Sequence, residues 1–180
     1  MTPTRERALA AAVDLVGTQG LRALTHARVD EHAGLPKGST SNSFRTRAAL
    51  LSGVVDWMAA RDYADVTLPE PGTPDDLVDM LCGMFAYTAD VNRTLTTARL
   101  VFFLEAAHNA DVRAAIERGH APMRAWTVGV LTRLGADDPQ AAATALISCV
   151  EGLTLHRIAR GDDRDPRPAI ALVVRGAFGA

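Results

Sequence analysis

The chain has no run of about 18 uncharged apolar residues, the length a helix needs to cross a bilayer. The opening stretch MTPTRERALAAAVDLVGTQG lacks the continuous apolar block of a secretory signal, so the expected compartment is the cytoplasm. Cysteine is scarce. Cys82 and Cys149 alone are too few for a disulfide framework or a zinc site, and both sit in apolar helical surroundings as buried thiols. The five histidines, His26, His32, His108, His120 and His156, show no metal-ligand spacing such as H-E-x-x-H. No G-x-S-x-G elbow, Walker loop or dinucleotide-binding glycine motif is present. No catalytic residue, metal or cofactor is therefore expected, and the chain does not read as an enzyme. Strand-like alternation, internal repeats and low-complexity segments are absent as well.

What remains is a globular, helix-forming composition, 48% hydrophobic and 22% charged over 180 residues. The net charge of −2 is unevenly spread. Residues 1–50 hold seven basic groups (Arg5, Arg7, Arg22, Arg28, Lys37, Arg45, Arg47) against four acidic ones (Glu6, Asp14, Asp30, Glu31). The remaining residues hold twelve basic and seventeen acidic groups. Only the first fifty residues can approach a polyanion without strong repulsion.

Glycine, proline and capping residues mark about nine helices. Thr2 with Pro3 starts the first, Leu9, Val13 and Val16 form its apolar face, and Gly20 stops it. A short helix from about His26 to Ala33 follows, capped by Thr25, then a third from Lys37 to Phe44. Thr46 caps a longer fourth helix with the stripe Leu50, Leu51, Val54, Val55 and Met58. Residues 67–74, TLPEPGTP, read as a linker. Helix five starts at Thr73-Pro74, and helix six runs from about Thr94 to His108. Helix seven covers about Asp111–Leu134, with a kink or short break expected at 119–122 because Pro122 cannot donate and Gly119 is close by. Helix eight runs from Asp138-Pro139 to about Arg160, and helix nine from Asp165-Pro166 to about Phe178.

Residues 26–44 form two short helices joined by Gly34-Leu35-Pro36, with Val29, Ala33, Leu35 and Phe44 as apolar anchors: a helix-turn-helix. The second helix, Lys37-Gly38-Ser39-Thr40-Ser41-Asn42-Ser43, has poor helix propensity. Short donors and acceptors let such a helix lie deep in the DNA major groove. Gly38 permits close approach, and Asn42 can pair bidentately with adenine. Thr25, His26, Arg28, Lys37, Arg45, Thr46 and Arg47 surround it as candidate phosphate contacts.

The stretch Arg5–Leu51, with LTHARVDEHAGLPKGSTSNSFRTRAALL at its heart, resembles the N-terminal domain of TetR-family repressors. That family's pattern has an apolar residue before Thr, a helix ending in Ala-x-x-Ala-Gly or similar, a small turn, a Gly-Ser/Thr recognition helix, then Phe and a basic residue. Leu24-Thr25, Ala33-Gly34, Lys37-Gly38-Ser39, Phe44 and Arg47 fall in register with it. One departure is that Ser41 and Ser43 stand where Tyr is common. The resemblance covers roughly the first quarter of the chain. It implies an all-α fold with a helix-turn-helix DNA-binding domain over residues 1–47 and a ligand-binding and dimerisation domain over 48–180.

It also implies a ligand-responsive repressor that binds a palindromic operator as a homodimer and is released by a small, largely apolar molecule. Candidate ligand-binding residues are Trp57, Met84, Thr88, Arg99, Phe102, Phe103, Glu105, Met123, Trp126, Thr127 and Glu151, apolar faces with a few polar groups at helical spacing. Candidate dimer-interface residues lie on the last two helices: Leu146, Cys149, Val150, Leu153, Arg157, Ile170, Val173, Val174 and Phe178. The alternative is an all-helical small-molecule-binding protein or enzyme that does not bind DNA.

Overall fold

The computed structural model describes residues 2–64 and 70–179, so residues 67–69 of the expected linker lie outside the described residues. Among the described residues there are nine α-helices and no strand. None of these helices is long and apolar enough to cross a membrane. Packing divides the chain into two units. The first takes the described residues up to 64 together with 94–120, and the second takes 70–93 and 121–179. The expected functional boundary at residue 47 falls within the first unit.

Helix α1 (Pro3–Gln19) begins as expected: Thr2 accepts from the Arg5 amide and Pro3 sits at the first position, where its missing N–H does no harm. A 3-10 turn, Leu21–Ala23, follows. Then come α2 (His26–His32), capped by Thr25, and α3 (Ser39–Ser43). Helix α3 is shorter than the expected 37–44 because Gly38 adopts φ +90, a left-handed geometry that ends the helix at its N-terminal side. Helix α4 (Arg47–Ala64) completes the N-terminal part. The first unit's core joins Leu9, Leu15, Val16, Leu24, Val29, Leu50 and Val54 to Phe102 of α6 (Arg93–Glu105) and Val112 of α7 (Ala110–Leu134).

In the second unit, α5 (Pro74–Ala86) is capped by Thr73, whose hydroxyl oxygen accepts from the Asp76 amide at 3.1 Å. A π-turn, Tyr87–Val91, then leads toward α6. Helix α8 (Pro139–Arg160) is capped by Asp138 and stopped by Gly161 at φ +64. Helix α9 (Arg167–Gly176) starts after Pro166. Leu77, Val78, Val130, Leu131, Leu146, Ile170 and Val174 form this unit's core.

Two expectations need correction. Of the kink or short break expected at 119–122, the break does not occur: α7 is helical through Gly119 and Pro122. Gly119 has a packing reason instead, since a Cβ there would stand 2.6 Å from the Cβ of Ala59 on α4. Leu146, Ile170 and Val174, expected at a dimer interface, are fully enclosed by their own chain. Their stripes turn inward because α5, α8 and α9 pack on one another and fill that side.

Candidate nucleic-acid interface

The face that α3 presents is set by which of its side chains point away from α2. Ser41, Asn42 and Ser43 are exposed, as are Lys37 and Arg45. The Ser41 hydroxyl donates to the Gly38 carbonyl at 3.0 Å and that of Ser39 to the Pro36 carbonyl at 2.6 Å. Thr25 and Thr46 are exposed helix caps, accepting from the Arg28 amide at 3.3 Å and the Ala49 amide at 3.0 Å. In these two caps the threonine hydroxyl acts as acceptor, which leaves its own proton available to donate. Arg28 is exposed and turned onto the Gln19 side-chain oxygen.

Four of the sequence candidates serve the local structure. Thr40 is completely buried, with its hydroxyl and amide both on Asp30, so it is not a contact surface. Gly38 shapes the turn and donates its amide to Asp30 at 2.7 Å. His26 is part-buried, with Nε2 at 2.7 Å from the Phe44 carbonyl oxygen. Arg47 reaches back to the carbonyls of Leu24 and Leu21, the latter at 3.3 Å. It therefore ties the start of α4 to the 3-10 turn. On the opposite flank, Arg7 caps the end of α2 through the carbonyls of Ala33 at 2.6 Å and Gly34 at 3.3 Å.

Asp30 was not among the sequence candidates. Its signal is positional: His26, Val29, Asp30 and Ala33 occupy the i, i+3, i+4, i+7 face of α2, so Asp30 is an acid on an inward stripe. It is 3% exposed. Burial pushes its carboxyl up, but the hydrogen bonds from Thr40 and Gly38, with His26 nearby, hold it below its ordinary value of 3.8. A carboxylate depressed in the fold contributes stability above its unfolded value, and that stability is lost as pH falls through the folded value. The gap in melting temperature between the parent and Asp30→Asn should therefore be widest above about pH 5 and close below about pH 4. Thermal melts across pH 3–7 (roughly the carboxylate range and above) read this. A gap constant over the series would show that the charged form is not what stabilises.

Of the ligand candidates, the first unit brings Arg99, Phe102 and Phe103 together with Val55, Met58, Ile116, Gly119 and His120 around a cavity of about 20 Å³. That is room for about one water. Phe103 meets the His120 ring edge-on, with centroids 5.2 Å apart. Trp57 is half-buried under the Arg61 guanidinium, 4.7 Å above its ring, and Glu105 is half-buried at the end of α6. Neither lines the cavity.

Met84, Thr88, Met123, Trp126, Thr127 and Glu151 belong to the second unit. The Thr88 hydroxyl donates to the Met84 carbonyl at 2.9 Å and the Thr127 hydroxyl to that of Met123 at 2.9 Å. Met84, Met123, Trp126 and Glu151 are half-buried.

Among the dimer candidates, Cys149, Val150, Leu153, Val173 and Phe178 remain half-buried. Arg157 is engaged within its own unit, 5.3 Å over the Phe85 ring and 3.5 Å from Asp90. Burial pushes the Cys82 and Cys149 thiols up, which favours their protonated form. Leu155 on α8 and Leu172 on α9, which sequence reasoning passed over, are 44% and 68% exposed.

The family description "Tetracyclin repressor-like, C-terminal domain" matches residues 72–180. The HTH-type transcriptional regulator BetI of Rhizobium meliloti (strain 1021) is 26% identical over 162 residues, covering 87% of this chain and 79% of that protein. Among solved structures, a TetR transcription regulator from Haloarcula marismortui ATCC 43049 superposes with a TM-score of 0.84 at 15% identity, covering 99% of this chain and 100% of the other. The multidrug binding protein EbrR, complexed with ethidium, superposes with a TM-score of 0.75 at 20% identity, covering 98% and 99% of the two chains. At these identities the structural likeness is one of fold.

Proposed function

Because the chain belongs to the TetR family of transcriptional regulators, which respond to ligands, we propose that it is a repressor that binds a palindromic operator through the exposed face of α3. It does so as a homodimer, works in the cytoplasm and is not an enzyme. The observation that carries this reading is the surface of α3 itself. A helix whose outward side chains are Ser41, Asn42 and Ser43, flanked by Lys37 and Arg45, has the short donors and the local positive charge that base edges and phosphates require. Thr40, Gly38, His26 and Arg47 act behind that surface. Two copies would pair through the half-buried residues of α8 and α9 together with Leu155 and Leu172, which need a cover.

The effector enters at the Arg99–Phe103–His120 cavity. Its present volume of about 20 Å³ falls far short of the roughly 300 Å³ that a small-molecule pocket needs, so binding must select an opened form of the first unit. That difference in affinity between closed and open forms couples ligand to DNA. The EbrR relative binds ethidium, a cation. The effector proposed for this chain is a largely apolar molecule, which suits a cavity lined by Val55, Met58, Phe102, Phe103 and Ile116.

Lys37 is the only lysine in the sequence, which makes a direct test simple. An amine-directed acylating reagent, read by mass spectrometry on the digest peptide that contains Lys37 and so apart from any α-amine, reports on the turn before α3. A DNA duplex enriched by this protein from a randomised pool should protect Lys37 at low salt, and protection should fade as salt rises. Full labelling of Lys37 in a complex that demonstrably contains DNA would place the docking face elsewhere.

A further inference from the structure

Helix α3 has five residues, Ser39-Thr40-Ser41-Asn42-Ser43, none with strong helix propensity. A helix that short does not persist on its own hydrogen bonds. It also sends no apolar side chain into the core, since its one buried residue is Thr40. Its orientation must be imposed from outside, and α2 supplies two side chains that do so. His26 and Asp30 stand one turn apart on α2. Asp30 takes the N-terminal end of α3, accepting from the Gly38 amide at 2.7 Å, the Thr40 amide at 2.8 Å and the Thr40 hydroxyl. Gly38, at the cap position, has no side chain to do this. His26 takes the other end, with Nε2 2.7 Å from the Phe44 carbonyl oxygen. Asp30 also departs from the Ala-x-x-Ala-Gly ending, standing where that pattern has its first alanine.

We propose that Asp30 is a positioning residue for base readout: its latch on Gly38 and Thr40 sets the rotation of α3 about its own axis, and hence which base edges Asn42 and Ser43 meet. The inference rests on the reading of α3 as the DNA-reading helix. Its physical content is directionality. An apolar contact tolerates sliding by a few tenths of an ångström. A buried carboxylate with three donors does not, because any rotation of α3 leaves a charge or an amide without its partner. The latch thus adds a directional constraint to the anchoring that Phe44, buried just after α3, provides.

The test uses the full chain and two probes: a duplex enriched by the parent protein from a randomised pool, and a random-sequence duplex of the same length. The readout is the ratio of the two dissociation constants. Asp30→Ala combined with Thr40→Val leaves no buried charge or hydroxyl unpaired, although it withdraws the acceptor from the Gly38 and Thr40 amides and so lowers stability. Its melting temperature, measured alongside, should fall, and the affinities are read at a temperature where its helix content still matches the parent's. The affinity ratio should fall by on the order of tenfold, the loss of one well-aligned base contact. Asn42→Ala supplies the scale for that loss.

Simple destabilisation lowers the folded fraction and weakens both probes by one factor, leaving the ratio unchanged. If the double variant fails to fold, Thr40→Val alone keeps the carboxylate and both amide bonds and should lower the same ratio by less. A parental ratio in a folded double variant, or in Thr40→Val when the double variant does not fold, overturns the proposal. If the ratio also ignores Asn42→Ala, it is the DNA-reading role of α3 that fails, and the latch proposal with it.

Discussion

Replacing Gly17 by alanine is expected to destabilise the first unit by about 2 kcal/mol, lowering the melting temperature by about 4–8 °C. Propensity alone points the other way, since glycine inside a helix costs about 1 kcal/mol relative to alanine. Geometry reverses the sign. A Cβ on Gly17 would stand 2.2 Å from the carbonyl oxygen of Thr94 and 2.9 Å from its carbonyl carbon. The obstacle is backbone of α6, which cannot swing aside as a side chain can, so α1 and α6 would have to separate. Overpacking of this kind costs about 1–3 kcal/mol, and a contact this short belongs at or above the upper end.

Gly53 makes a useful contrast. An added Cβ there would meet Phe44 Cε1 at 2.4 Å, but that is the edge of a ring that can tilt beneath Arg5. Gly53→Ala should therefore cost less than Gly17→Ala. Circular-dichroism melts of both variants decide the matter, and a Gly17→Ala protein melting at or above the parent's temperature refutes the close approach.

Phe102→Ala is expected to cost about 4 kcal/mol, a fall of on the order of 10 °C, whereas Phe103→Ala should cost much less. The two residues are adjacent on α6 and both line the small cavity. Phe102 is wholly buried among core residues that include Leu9, Leu50 and Val54, so truncation removes its transfer free energy and leaves a void that the neighbours only partly fill. Phe103 is half-buried, and its main ring contact is the edge of His120. The structure thus separates two residues that the sequence placed together as ligand candidates. Phe102 is part of the frame, whereas Phe103 stands half-buried against the edge of His120. Equal losses for the two variants in a thermal melt would contradict this division.

Much of the architecture is legible locally. Thr2-Pro3, Thr73-Pro74 and Asp138-Pro139 start helices where expected because a cap and a proline act within a few residues of themselves. The polar face of α3 can be read in the same way, as a run of small side chains that would make a poor helix for any packing purpose. Asp30 was legible only in retrospect. An acid on an inward stripe announces a partner, but the partner, Thr40, lies ten residues on across a turn. Arg47 shows the converse. As one of several cations around α3 it reads as a phosphate contact, yet its guanidinium is turned onto the carbonyls of Leu24 and Leu21.

By itself the sequence determined most helix starts, through caps and prolines, the apolar stripes of the helices, and that one short segment is a run of small polar side chains. These are properties of neighbouring residues and of a 3.6-residue period. Tertiary structure alone decided that Leu146, Ile170 and Val174 face their own core and that Thr40 is hidden beneath the helix it belongs to. It also decided that Gly17 and Gly119 are small because another helix passes close by. A period reveals that a helix has an apolar side. What covers that side depends on segments far along the chain, and their approach is set by the packing of the whole unit.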